Sequence, residues 1–299
     1  MANRRSSGAK HVVLCSGVED FARVPEFKFK EEYKDRVALL YDRYSEKYDN
    51  GTWHDEIGRP LIEGCGLRKG DRVLDMCAGT GISTLISADL VGREGRVVGV
   101  DFSDMMLKKA REKVKTGGYA QVELVLGDAE KVEFPPRSFD CITCCAAFLW
   151  MTDYVGTLTR WRGFLAPGGQ IALHAFWEGG WVKGVCLVKA AARHGVELTF
   201  NQPTGTEERV ARLLAAAGYS DVRIERYEVG SYISLEDAEK GWDGMVKEEF
   251  PFSPPLFEVS QDVRDAIKAS YLTELQSIAT DRGVWEDRTT FHTHARNLS

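Results

Sequence analysis

The chain has 299 residues, 43% of them hydrophobic and 28% charged, with a formal net charge of −6. That is enough apolar material for a full core, as one large domain or a domain with a cap. The negative balance argues against nucleic acid or an anionic membrane as a partner, and no uninterrupted apolar run is long enough to span a bilayer.

Seven cysteines, an odd number without paired metal-ligand spacing, predict reduced thiols in a cytoplasmic setting and no bound metal. Residues 1–25 carry Arg4, Arg5 and Lys10 and lack the apolar core of a signal peptide, which predicts a flexible tail. Residues 26–66 show helical spacing with many aromatics, among them Tyr33, Tyr41, Tyr44, Tyr48 and Trp53. Across residues 67–299 short apolar runs alternate with amphipathic helices, which predicts an α/β fold with a doubly wound, mostly parallel sheet.

The first strand of that region, Val73-Leu74-Asp75-Met76, runs into the turn Cys77-Ala78-Gly79-Thr80-Gly81, and the next apolar run ends on Asp101. Ligands of such sheets lie beyond the strand ends, where a glycine turn admits close backbone approach and a carboxylate accepts from ribose hydroxyls. The turn lacks the third glycine of a dinucleotide fingerprint, having Thr84 there, and lacks the lysine of a phosphate loop. The pattern fits a ligand with a ribose and no phosphate.

Further along, Ser103 as an N-cap predicts a helix over 104–115 that ends at Gly117-Gly118, and Asp153 precedes a second helix to about 164. Helices are expected to about 196 and over 207–217, a strand over 222–233 and a final strand over 289–295. Residues 235–282 read as a helical insertion with a Pro-rich loop at 251–255, placed to roof a pocket.

Five signals follow one another over residues 70–175: the turn at 75–81, the acid at Asp101, Gly127-Asp128-Ala129, Ser138-Phe139-Asp140-Cys141-Ile142-Thr143 and Leu165-Ala166-Pro167-Gly168-Gly169. In this order the chain resembles the class I S-adenosylmethionine-dependent methyltransferases. The stretch 95–103 is most similar to the branch of quinone-biosynthesis and small-molecule methyltransferases. The resemblance implies a Rossmann-like sheet of seven strands in the order 3-2-1-4-5-7-6 with helices on both faces, and residues 26–66 as a substrate-side lid. It implies S-adenosylmethionine as cofactor and S-adenosylhomocysteine as product. Carried over residue by residue, it implies Asp101 for the ribose, Asp75 for the methionine amino group, and Cys77, Ala78, Gly79 and Gly81 for backbone approach. Gly127, Asp128 and Ala129 would edge the adenine, with Asp128 accepting from its exocyclic amine, Phe102 or Met105 packing on the ring, and Cys144 closing the fourth strand. The family usually has glycine where this chain has Cys77, which predicts a tighter methionine end.

After the fourth strand the chain reads Cys144-Cys145-Ala146-Ala147-Phe148. It lacks the prolines of adenine amino methyltransferases, the Pro-Cys of cytosine enzymes and the aspartate of metal-dependent catechol enzymes. The expectation is methyl transfer to a small, aromatic or lipophilic acceptor at O, N, S or C, with no nucleic acid partner, no membrane span and room for a homo-oligomer. His174 is the candidate general base, and Tyr44 a second catalytic candidate near His54. Tyr48, Trp53, Trp150 and Trp177 are candidate acceptor contacts, with Phe176 and Trp181 beside them. His292 and His294, alternating on the last strand, read as structural. Two other readings stay open. One is a cofactor-binding protein of the same fold that does not transfer methyl groups. The other is an arsenite methyltransferase, which vicinal Cys144-Cys145 invites, although neighbours on a strand point to opposite faces.

Overall fold

A computed structural model describes residues 11–15, 32–200, 202–247 and 250–298, the first of these segments as backbone only. Strand β1 (His11–Cys15) and helices α1 (Tyr33–Tyr44) and α2 (Trp53–Glu63) precede the alternating core. There β2 (Arg72–Met76), α3 (Ile82–Val91), β3 (Arg96–Asp101), α4 (Asp104–Gly117), β4 (Val122–Leu126) and β5 (Phe139–Cys144) follow in turn. β2 and β3 are buried along almost their whole length, as parallel strands covered by helices on both faces must be. α4 starts where expected, with Ser103 Oγ accepting from the Met106 amide at 3.1 Å, and ends at Gly118 in the left-handed region.

The second half continues with α5 (Tyr154–Phe164), the long β6 (Leu165–Phe176), α6 (Val182–Arg193), α7 (Glu207–Ala216) and β7 (Ser220–Tyr227). Then come β8 (Gly230–Ile233), α8 (Leu235–Glu239), α9 (Gly241–Met245), α10 (Pro254–Phe257), α11 (Gln261–Ile278), β9 (Val284–Asp287) and β10 (Thr290–Arg296). The large sheet runs β1-β7-β10-β6-β5-β2-β3-β4. Counted from β2, its last seven strands have the expected order 3-2-1-4-5-7-6, parallel except where β10 runs antiparallel to β6 and β7.

Two expectations are corrected. Residues 11–15, placed in a flexible tail, form an edge strand antiparallel to β7; the remainder of residues 1–25, with Arg4, Arg5 and Lys10, lies outside the described residues. The single strand expected over 222–233 divides, because β7 stays in the large sheet while β8 leaves it to pair with β9 in a separate two-stranded sheet. Alternation cannot reveal that break, since both pieces carry it.

One apolar cluster joins β2, β5 and β6 to α5 and α7, with Trp161 fully buried at its centre. A second lies on the other face of the sheet around Leu61, Val73 and Ala88. A third, separate cluster packs α6 against α11 and the insertion through Leu187, Leu256 and Tyr271. The insertion thus has a core of its own, and the seam between it and the sheet is where the larger cavity opens.

Candidate functional site

At the carboxyl edge the chain leaves β2 through a turn that only unusual backbone can make. Cys77 (φ 61°), Gly79 (φ 54°) and Gly81 (φ 85°) all lie in the left-handed region, where glycine fits freely and cysteine is strained. The Asp101 carboxylate fastens this turn: Oδ2 accepts from the Gly79 amide at 2.8 Å and Oδ1 from the Ser103 amide at 2.9 Å. Asp101 is 7% exposed. Burial pushes its pKa up to about 6, against the pull of its amide donors.

A narrow cleft, about 50 Å³, runs along this edge. Cys77, Gly79, Asp101, Phe102, Asp128 and Ala129 line it, together with Gly127. A Cβ built on Gly79 would stand in that cleft, 3.5 Å from Met106 Cε and 4.0 Å from the Tyr48 ring. A backbone cradle without a side chain, next to a buried carboxylate with free lone pairs, is the donor and acceptor set that a ribose-bearing cofactor needs. The residues therefore fit S-adenosylmethionine. Lys34, Tyr41, Tyr48, Met106 and Trp150 side chains also line the cleft.

Not every expected residue faces the cleft. Asp75 is buried behind it, its two oxygens accepting from Thr84 Oγ1 at 2.6 Å and Thr143 Oγ1 at 2.8 Å; burial pushes it up to about 6. It ties β2 to β5 and α3. Ala78 and Gly81 shape the turn through backbone hydrogen bonds, and Cys144 packs in the core. Met105 is exposed, and its neighbour Met106 lines the cleft instead. Cys145, just past the end of β5, lines the cleft while Cys144 faces the core. Among the described residues no three His, Cys, Asp or Glu side chains converge on a metal-binding geometry.

The N-terminal helices lie across the edge and are held there by polar contacts. Lys34 Nζ donates to both Asp128 oxygens at 2.7 Å and pairs with Glu130, Ser103 Oγ donates to Asp42 at 2.5 Å, and Thr80 Oγ1 donates to Asp49 at 2.7 Å. The lone charges in α1 carried no signal in the sequence that they would meet residues almost a hundred positions away.

Beside the cleft opens a larger cavity of about 590 Å³. The two share Tyr41, Tyr48, Ala146 and Trp150 as a common wall. Tyr44, Trp53, His54, Phe176 and Trp181 continue the lining, joined by Phe200 and by Phe250 and Phe252 of the segment expected to roof it. The rings lock one another: Tyr48 stacks on His54 at 3.9 Å, Trp53 on Phe176 at 5.9 Å and Phe252 on Trp150 at 5.1 Å, while Trp150 Nε1 donates to the Tyr41 hydroxyl at 3.0 Å. Burial lowers the His54 pKa to about 4, so its ring is neutral at pH 7 and resists protonation. Tyr44 is 45% exposed at the mouth.

Two candidates are not brought to the cavity. His174 sits inside the sheet on β6, opposite His292 on β10, and burial holds its pKa well below the ordinary imidazole value. It lines neither cleft nor cavity. Trp177 lies instead under the Arg226 guanidinium at 5.1 Å. His294 is structural, its Nε2 meeting the Leu61 carbonyl at 3.0 Å.

The sequence profile of the ubiE/COQ5 methyltransferase family matches residues 29–178, half of the chain. A demethylmenaquinone methyltransferase of Listeria welshimeri is 34% identical over 148 residues, 48% of this chain and 63% of that protein. The chain thus spans less than two thirds of the length of that relative. The demethylmenaquinone methyltransferase of Geobacillus stearothermophilus is 28% identical over 227 residues, 67% of this chain and 95% of its own. Among solved structures, the Haemonchus contortus phosphoethanolamine N-methyltransferase 2 with S-adenosylhomocysteine superposes with a TM-score of 0.55 at 19% identity, covering 88% of this chain and 59% of its own. The cyclase SpnF superposes with a TM-score of 0.56 at 15% identity, covering 88% and 96%. At these identities the two structures speak to the fold.

Proposed function

The chain belongs to the ubiE/COQ5 methyltransferase family, and from that premise we propose that it transfers a methyl group from S-adenosylmethionine to a small, flat, lipophilic acceptor with an aromatic ring. The observation that carries this reading is the shared wall: the cofactor cleft opens, across Tyr41, Tyr48, Ala146 and Trp150, on a cavity lined mostly by rings, with one polar stretch at Glu286, Asp287, Arg288 and Thr289. The bound cofactor supplies an electrophilic methyl on a sulfonium. Everything else falls to the chain. Asp101 receives the ribose hydroxyls, and the turn at 77–81 lets backbone approach. Lys34, which holds Asp128 in the structure, yields that carboxylate to the adenine amine. The rings hold the acceptor in line and exclude water, and proximity of this kind supplies much of the rate of a simple displacement. Aromatic faces also favour positive charge near the methyl. His54, Tyr44 and Tyr48 are the groups that line the cavity and can hydrogen-bond the acceptor, His54 as a neutral imidazole and Tyr48 as a phenol that burial keeps protonated; His174, shut inside the sheet, is dropped from the role of base.

The free thiols among the described cysteines support an intracellular setting, and no helix of the described residues is long and apolar enough to cross a membrane. The demethylmenaquinone methyltransferases among the relatives make a quinol-type ring the first acceptor to try. The test is calorimetric titration with S-adenosylmethionine and S-adenosylhomocysteine, followed by a mass-spectrometric screen of aromatic acceptors for the gain of one CH2. Cofactor binding with a methylated product supports the reading. Cofactor binding with an unmethylated but transformed acceptor would place the chain instead with proteins of this fold that catalyse other reactions.

A further inference from the structure

One wall of the aromatic cavity is not aromatic. Glu286, on β9, lines it with the chain that follows, Asp287, Arg288 and Thr289, and of these Glu286 is the buried carboxylate, 7% exposed. Val284 and Glu286 share the buried side of the strand while Trp285 between them points outward, so the strand's alternation drives a carboxylate to the inside. There it finds little. Oε2 is closed off from solvent with no hydrogen-bond partner among the described residues, and Lys183 Nζ stands 4.0 Å from Oε1, beyond hydrogen-bond reach. Burial raises its pKa, with Lys183 and Arg288 opposing. It caps no helix, and its main chain alone pairs β9 with β8. An under-satisfied buried carboxylate costs stability unless something completes its hydrogen bonding.

Resting on the acceptor reading above, we propose that Glu286 is the polar anchor of that cavity: by a turn about its side-chain bonds the carboxylate, free of hydrogen bonds that would hold Oε2 in place, receives a hydrogen bond from a hydroxyl or an amine N–H carried by an otherwise apolar aromatic acceptor. The shape and the rings of the cavity select a flat hydrocarbon body, and the carboxylate selects which edge of it carries a donor. Glu286 lines the cavity and not the cleft, so the group it holds is set apart from the ring position presented for methylation. It also lies outside residues 29–178, the part that matches the family profile. The anchor is therefore a feature of this chain's own second half, and it makes donor-bearing rings the acceptor class.

The experiment compares naphthol, naphthylamine and methoxynaphthalene as probes, titrated calorimetrically into the full chain saturated with S-adenosylhomocysteine, for wild type, Glu286→Gln and Glu286→Leu. Wild type is expected to bind naphthol or naphthylamine about tenfold or more tightly than methoxynaphthalene, which has the same body and no donor. Whichever of the two is preferred identifies the donor as O–H or N–H. Glu286→Leu is expected to erase the preference while methoxynaphthalene binding and cofactor affinity are kept and Tm is kept or raised, because a buried carboxylate with an unbonded oxygen and only a distant pairing to Lys183 has been removed. Glu286→Gln, which keeps an acceptor oxygen, retains part of the preference. A Tm that falls in Glu286→Leu with the preference intact would overturn the anchor and make Glu286 structural. Equal binding of all three probes by wild type would overturn the anchor and leave the aromatic-acceptor reading standing, whereas binding of none would overturn both. A preference that depends on Glu286 in a protein that methylates nothing would keep the anchor and sink the methyl-transfer reading.

Discussion

The cleft at the sheet edge and the aromatic cavity lie side by side and are built in opposite ways. Along the edge, the functional surface is backbone and strand ends: a turn of left-handed residues, an acid at the end of β3 and a short loop after β4. In the cavity it is side chains, gathered from α1, α2, the loops after β5 and β6 and the insertion. The first kind of site depends on conformations few residues adopt, so single substitutions are punished. The second depends on the sum of many ring contacts, so it tolerates exchange and is free to change its ligand. This is the physical reason one family keeps a cofactor while its acceptors diverge.

The largest effect is therefore expected from Gly79→Val. A β-branched residue at φ 54° is strained, and its side chain would enter the cleft toward Met106 and Tyr48. The loss of S-adenosylhomocysteine affinity should reach roughly 3 kcal/mol by calorimetry, with the fold intact by circular dichroism. Asp101→Ala should cost about 1 to 3 kcal/mol of the same affinity. The charged form is the one that accepts from ribose hydroxyls, and Asp101 titrates at about 6 in the protein alone. Binding thus favours ionisation, so affinity should be flat above that pH and fall as the pH drops through it. Asp101→Asn should lose this dependence; a wild-type affinity that stays level down to pH 5 would separate Asp101 from the ribose.

On the other side of the shared wall, Phe200→Leu removes a ring stacked on Trp181 at 4.5 Å and tilted against Phe252 at 4.6 Å. Acceptor binding should weaken by about 0.5 to 1.5 kcal/mol while cofactor affinity is unchanged; equal losses in both would mean that the two sites are one cooperative unit. The smallest effect on binding belongs to Lys34→Ala, where the ion pairs with Asp128 and with the more deeply buried Glu130 are both lost. Stability should fall by about 1 to 3 kcal/mol, and cofactor affinity should rise slightly, because Asp128 is released for the adenine. A fall in affinity would make Lys34 a cofactor contact in its own right.

Legibility followed the same division. The expected sheet order was readable, and so was the gathering of Cys77, Gly79, Asp101 and Gly127-Asp128-Ala129 along one cleft, because turns and strand ends leave short, spaced signatures. Met106 rather than Met105 facing the cleft was a matter of helix phase, which one residue of error reverses. His174 looked like a base because imidazole titrates near neutrality, yet near the end of β6 it lies opposite His292 and is buried within the sheet. Glu286 had no motif at all; only its burial among rings distinguishes it from the other acids of a chain rich in them.

By itself, the sequence determined the alternating α/β core and its cofactor edge, since strand and helix periods and glycine turns are local properties of consecutive residues. Tertiary structure alone decided the split of 222–233 into two sheets, the strand at 11–15, the bond between Lys34 and Asp128 and the convergence of Trp53, Phe200, Phe252 and Glu286 on one cavity. Those depend on which distant segments meet, and no local period encodes a meeting.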